Sequence, residues 1–67
     1  MTPTDIREAR VKLGLTPPQM AVMLGYSERG ASERISEIEN GVRKPDRSKV
    51  LLLEAYLDGY RPASWPA

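Results

Sequence analysis

Glycine and proline interrupt this chain at short intervals, and the intervals leave room only for short helices. The breaks fall at Gly14, Gly25, Asn40–Gly41, Lys44–Pro45 and Asp58–Gly59, where helices commonly end or turns begin. Between the breaks, apolar residues recur at helical spacing and show no strand-like alternation. The sequence therefore predicts an all-α fold, a compact bundle of four short helices.

The predicted helices have recognisable start signals. Thr16 with Gln19 forms a capping-box pattern ahead of the second helix, and Asp46 is placed to cap the fourth. Thr2 or Thr4 can cap the first. The four helices are predicted over Thr4–Leu13, Pro17–Leu24, Ala31–Asn40 and Arg47–Leu57.

Length and composition exclude several classes of protein. A chain of 67 residues forms one domain at most. It has no cysteine and no histidine, so we expect no disulfide, metal or cofactor, and no small-molecule ligand. Its carboxylates form no evident catalytic pair, which argues against an enzyme. No apolar run approaches the roughly 18 residues of a membrane helix, so we expect a cytoplasmic protein with no membrane partner.

Charge is distributed unevenly along the chain. The net charge is only +1, yet Arg43, Lys44, Arg47 and Lys49 surround a single acid, Asp46. Such a local cluster can contact phosphates even in a nearly neutral protein. A solvated, charged turn explains the same run equally well.

The third predicted helix has two distinct faces. Ala31, Ile35 and Ile38 form an apolar stripe at helical spacing. Two short helices joined at a glycine, with a polar outward face on the second, match the geometry of a major-groove reader. Small bundles with no DNA partner share this pattern. The polar residues opposite the stripe are Glu33, Ser36, Glu37 and Asn40.

Four stretches of the chain resemble the Cro/C1-type (XRE) helix-turn-helix family. They are 13–16 (LGLT), 20–27 (MAVMLGYS), 35–41 (ISEIENG) and 43–45 (RKP), and the resemblance covers about 6–57. It implies a lambda-repressor-like bundle that binds double-stranded DNA with its third helix. The predicted function is a sequence-specific transcriptional regulator, a repressor or autoregulator. The alternative is an antitoxin-like or adaptor module that binds protein through the fourth helix and the tail.

By that resemblance, base contacts come from the front of the third helix. Arg34 could pair with guanine, and a carboxylate could accept from cytosine, although Glu33 and Glu37 could also be solvated. The expected base contacts are Ser32, Glu33, Arg34 and Glu37.

Phosphate contacts are expected on either side of the helix-turn-helix. Pro17 stands where the family has a polar residue, and it has no N–H to donate. The expected contacts are Thr16, Gln19, Arg29, Ser36, Asn40, Arg43, Lys44 and Arg47, with Lys49 as an addition.

The resemblance also implies an internal ion pair and shows two departures. A basic residue of the first helix pairs with the Glu of Glu-Asn-Gly in this family, so Arg10 and Glu39 are expected to pair. The segment from Gly25 to Ile35 is longer than usual, which lengthens either the turn or the front of the third helix. The chain also ends in an irregular segment where the family commonly has a fifth helix.

That last segment leaves the oligomeric state open. We expect a helix-turn-helix domain over 1–59 and an extended tail over 60–67. Tyr60 and Trp65 either pack back on the first and fourth helices or join a dimer contact. A homodimer would place two third helices about 34 Å apart on a palindromic operator. The candidate dimer contacts are Leu53, Tyr56, Leu57, Tyr60 and Trp65.

Overall fold

The computed structural model describes residues 1–66 and consists of four helices joined by short connections. They are α1 (Pro3–Leu13), α2 (Pro17–Met23), α3 (Ala31–Glu39) and α4 (Arg47–Leu57). No strand occurs in the part of the chain described. The prediction of an all-α bundle is confirmed, and every predicted helix end is correct to within one residue. Ala67, the last residue of the predicted tail, lies outside the described residues.

Reciprocal caps fix where α1 and α2 begin. Thr2 Oγ1 accepts from the Asp5 N–H at 3.1 Å, while the Thr2 N–H donates to Asp5 Oδ2 at 3.0 Å. Thr16 and Gln19 exchange the equivalent bonds at 3.3 and 3.0 Å. Each box satisfies N–H groups that a helix start leaves unpaired. Asp46 occupies the cap position of α4, but its side chain makes no capping bond there.

The core is a contact zone between α2, α3 and the inner faces of α1 and α4. Met20, Ile35, Ile38 and Leu53 are its largest fully buried side chains. The stripe of α3 is buried as predicted, since Ala31 is buried beside Ile35 and Ile38. This packing sets the rotation of α3 about its own axis and leaves its polar side chains outside.

The long connection between α2 and α3 is a turn. Helix α3 begins at Ala31, so the additional residues lengthen the connection over 24–30 and leave the helix start where it was predicted. Gly25 and Gly30 have φ angles of +90° and +73°, which glycine adopts without the strain other residues incur. A Cβ at Gly25 would also lie 3.2 Å from Lys49 Nζ. Both glycines are therefore needed for this turn.

The segment after α4 is irregular, as predicted, but it folds back where an extended tail was expected. The Trp65 N–H donates to the Pro62 carbonyl at 3.0 Å, closing a turn. The Trp65 ring meets Tyr56 edge-on at 4.9 Å between centroids, and Arg61 lies 4.3 Å above the Trp65 ring. Tyr60 stacks on Tyr56 at 5.8 Å. Aromatic packing of this kind holds the segment against α4.

This packing corrects two of the expected dimer contacts. Leu53 and Tyr56 are only 2% and 3% exposed within a single chain, so neither offers surface to a second copy. Their side chains complete the monomer core instead. Leu57 and Trp65 are partly buried and Tyr60 is exposed, and a dimer contact through these three stays a prediction.

A buried carboxylate joins α1 to the end of α3. The Glu39 side chain is 6% exposed, and the structure places it beside Arg10. Arg10 Nε donates to Glu39 Oε2 at 2.7 Å, and Arg10 Nη2 donates to Oε1 at 3.3 Å. Arg10 Nη1 also donates to the Leu15 carbonyl at 3.2 Å. Arg7, which the sequence did not single out, adds a bond from Nε to Glu39 Oε1 at 3.3 Å.

The buried Tyr56 hydroxyl provides a test of the packing between α4 and α2. It donates to the Met23 carbonyl at 2.6 Å. Tyr56→Phe removes this donor, so we expect the free energy of unfolding to fall by about 1–2 kcal/mol, measured by urea denaturation. Tyr60→Phe, which removes a hydroxyl from an exposed ring, should change it by less than about 0.5 kcal/mol. Equal effects of the two substitutions would contradict the packing described.

The Glu39 pair gives a second stability prediction. Arg10→Met should lower the free energy of unfolding by about 3 kcal/mol, because it leaves a buried carboxylate with only its outer partner. For a domain of this size the melting temperature should fall by more than about 10 °C. Arg7→Met is the matched control, since Arg7 is largely exposed, and should cost less than about 1 kcal/mol. An unchanged melting temperature in Arg10→Met would exclude a structural role for the pair.

Candidate nucleic-acid interface

The outward face of α3 presents a group of polar side chains to solvent. Burial of the apolar stripe turns these residues outward, because helix positions three or four apart share a face. Most of the group is exposed and Glu37 is partly exposed. The face is formed by Ser32, Glu33, Ser36, Glu37 and Asn40.

Glu37 is paired with a cation from the following loop. Arg43 Nε lies 3.4 Å from Glu37 Oε1. The N–H groups of Val42 and Arg43 both donate to the Glu37 carbonyl, at 2.9 and 3.3 Å, and this closes the loop against the helix end. The ion pair is half-exposed, so it contributes little stability. Its effect is local, since it partly neutralises an acid on the outward face.

Asn40 is oriented by hydrogen bonds on both sides of its amide. Arg7 Nη2 donates to Asn40 Oδ1 at 3.4 Å, and Asn40 Nδ2 donates to Ser36 Oγ at 3.2 Å. The Ser36 hydroxyl therefore accepts one bond and can donate its own hydrogen elsewhere. Arg7 thus links the buried Glu39 to the polar face of α3.

Arg34 leaves the outward face and lies against the turn. Its guanidinium carbon is 5.3 Å from the centroid of the Tyr26 ring, and Lys49 Nζ is 5.2 Å from the same centroid. Burial raises the pKa of Tyr26, as does the charge of Asp46, while Arg34 and Arg43 act in the opposite direction. Tyr26 therefore lies within a group of mostly positive side chains.

The beginning of α2 lies at the surface, with its polar groups already engaged in capping. Thr16 and Gln19 are exposed, and their box uses Thr16 Oγ1 and Gln19 Oε1. The amide nitrogen of Gln19 takes no part in the box. Pro17 has no N–H, so this helix start offers fewer donors than usual.

The remaining predicted phosphate contacts are basic side chains on the surface. Arg29 lies in the turn before α3, Lys44 in the loop after it, and Arg47 in the first turn of α4; all three are exposed. Lys49 is partly buried against Tyr26. Among the basic side chains predicted to contact phosphates, only Arg43 is bonded to the outward face of α3. The others lie in the turn before α3, in the loop after it, or on α4.

Two side chains of this region were missed by the sequence analysis. Arg7 precedes Arg10 by three positions on the same helix face, a spacing that could have indicated a shared partner. The contacts of Tyr26 join the turn to α3 and α4, and no local sequence pattern reports such a contact.

Comparison with known proteins agrees with this geometry. A helix-turn-helix family model matches residues 6–64, most of the chain and part of the segment after α4. No characterised protein and no solved structure matches at a significant level. Within residues 1–66, none of the helices has the length and apolar character needed to cross a membrane. The matched range includes all of α2, α3 and α4, and the chain belongs to the Cro/C1-type (XRE) helix-turn-helix family of DNA-binding regulators.

Proposed function

We propose that this protein is a sequence-specific repressor that occupies its operator by placing the outward face of α3 in the major groove. The observation that carries the proposal is the division of α3 into one fully buried apolar stripe and one exposed polar face. A helix that shows polar side chains along one exposed face can enter the groove and bond to base edges. The family membership supports double-stranded DNA as the partner.

Three side chains of that face are the proposed base contacts. Glu33 and Glu37 can accept from the amino group of cytosine, and Ser32 can donate or accept. Carboxylates near phosphates are unfavourable unless they are paired, so they also act against incorrect sites. The bond from Arg43 to Glu37 reduces that penalty at one of the two acids.

Phosphate contacts then hold α3 in register without reading sequence. Lys44 and Arg47 are exposed cations beyond the end of α3, whereas Thr16 and Gln19 lie at the start of α2. Asn40 and Ser36 form a bonded pair on α3. Arg29 is the remaining exposed cation, in the turn before α3.

A homodimer on a palindromic operator accompanies this proposal. Leu51 and Tyr60 are 51% and 54% exposed, and Leu57 and Trp65 are partly exposed. This surface supports association of two copies through α4 and the following segment. The same surface favours the second candidate function, an antitoxin-like module that binds a protein partner. The two differ in salt response, because DNA binding releases counterions whereas an apolar protein contact does not.

Selection of binding sites from random duplexes, followed by titration of single variants, tests the base-reading role of α3. We expect Glu37→Ala to change the preferred base at one position, because it removes an acceptor in the groove. Lys44→Ala should weaken all duplexes alike and reduce the slope of log K against log salt by about one. Arg43→Ala is a poorer phosphate variant, since it also frees Glu37.

Lys12→Ala is the matched control for Lys44→Ala. Lys12 is exposed on α1 and belongs neither to the outward face of α3 nor to the proposed phosphate contacts, so its loss should leave affinity and salt slope unchanged. Equal effects of the Lys12 and Lys44 substitutions would contradict the proposed orientation. Binding to duplexes that does not depend on salt would contradict the function itself.

A further inference from the structure

A small polar hollow lies in the long turn between α2 and α3, beside the outward face of α3. It has a volume of about 160 Å³. Its lining residues include two arginines, a serine and a tyrosine but no acidic residue, so its chemistry suits an anion. The lining residues are Tyr26, Ser27, Arg29, Gly30 and Arg34.

Arg34 is held in place at this hollow by an aromatic ring. Its guanidinium carbon lies 5.3 Å from the Tyr26 centroid, within the range of a cation–π contact. A guanidinium that rests on a ring keeps its N–H donors free at its edge and loses less side-chain entropy on binding. Arg34 is therefore already ordered toward the turn.

Local bonds give the turn its shape. Ser27 Oγ donates to the Arg29 carbonyl at 3.3 Å, and the Ala31 N–H donates to the Glu28 carbonyl at 3.3 Å. Gly30, with a φ of +73°, then turns the chain into α3. These contacts keep Arg29 and Arg34 on the rim of the same hollow.

We propose that this hollow binds one backbone phosphate of the DNA, with Arg29 and Arg34 as its charged ligands and Tyr26 as a positioning residue. The inference rests on the proposed function, since the phosphate belongs to the bound duplex. In this proposal Arg34 contacts the phosphate backbone of the DNA, whereas the sequence predicted a base contact. Planar guanidinium groups donate paired hydrogen bonds to phosphate oxygens. The hollow thus adds a phosphate contact in the turn that follows α2.

Neutral phosphate analogues test this assignment directly. The selected duplex is prepared as a series in which one methylphosphonate linkage at a time replaces a charged phosphate. We expect one linkage near the turn to weaken binding by the unmodified protein about tenfold, since a charge-assisted contact is lost. In the Arg29→Ala/Arg34→Ala double variant, the same linkage should have no further effect. The double variant should also show a salt slope smaller by about one.

Three results would overturn the assignment. If the loss of affinity in the double variant adds to the loss caused by each neutral linkage, at every position, the hollow contacts no phosphate. A changed base preference in Arg34→Ala, with all linkages additive, would make Arg34 a base reader and leave the proposed function intact. Saturation of the DNA-free protein by inorganic phosphate at sub-millimolar concentration would make the hollow a site for a free anion. By contrast, loss of salt-dependent duplex binding in the unmodified protein would overturn the proposed function as well.

Variants of Tyr26 separate positioning from folding. Tyr26→Phe keeps the ring and should keep affinity within about twofold, whereas Tyr26→Leu removes the support of Arg34 and should weaken binding several-fold. The weakening should disappear on the duplex whose critical linkage is neutral. Equal loss on charged and neutral duplexes would show that Tyr26 acts only through stability, which melting temperatures measure independently. Lys12→Ala again serves as the control, with unchanged affinity and salt slope.

Discussion

Burial of Ile35 and Ile38 is the constraint from which the rest of the molecule follows. Both side chains are fully buried, and each contributes about 1.5–3 kcal/mol by leaving water, a large share of the stability of a domain this small. Rotating α3 by one position, about 100°, would bring polar side chains such as Ser36 into the core. The rotation of α3, and with it the set of residues offered to a partner, is therefore determined by its apolar stripe.

The Glu39 carboxylate adds a polar constraint at the C-terminal end of the same helix. Both arginines that pair with Glu39 come from α1. Helix α1 makes no proposed base contact, yet it holds the C-terminal end of α3 in position. Arg7 also bonds to Asn40 on the exposed side. Arg7 thus connects the buried Glu39 to the exposed Asn40. A substitution in α1 can therefore alter the outward face of α3 even though α1 makes no proposed contact with DNA bases. At the other border of the outward face, Arg34 and Lys49 lie over the Tyr26 ring and form a mostly positive group.

Local signals in the sequence account for most of the fold. Glycine breaks, threonine caps and the stripe of α3 act within a few residues, and each predicted its element correctly. The Arg10–Glu39 pair followed from family resemblance, and the structure places the two together. Longer-range features could not be obtained this way. The apolar surplus of α4 did not reveal which residues enter the core, so Leu53 and Tyr56 were expected at a dimer contact.

Side-chain direction in the candidate site was also beyond the sequence. The sequence predicted a base contact for Arg34, but only the position of Tyr26 shows that this side chain faces the turn. Glu37 was correctly placed outward, while its bond to Arg43 depends on how the loop closes. In both cases the deciding partner comes from another element, and its distance is set by tertiary packing.

Contact between DNA and the outward face of α3 is tested most directly by mapping backbone amide chemical shifts during titration with the selected duplex. We expect the shifts to concentrate in three stretches: 16–19, 26–37 and 40–47. Amides around Lys12 in α1 should stay unchanged. Shifts confined to α4 and the segment after it, with α3 unaffected, would contradict DNA binding through α3 and favour a protein-binding role.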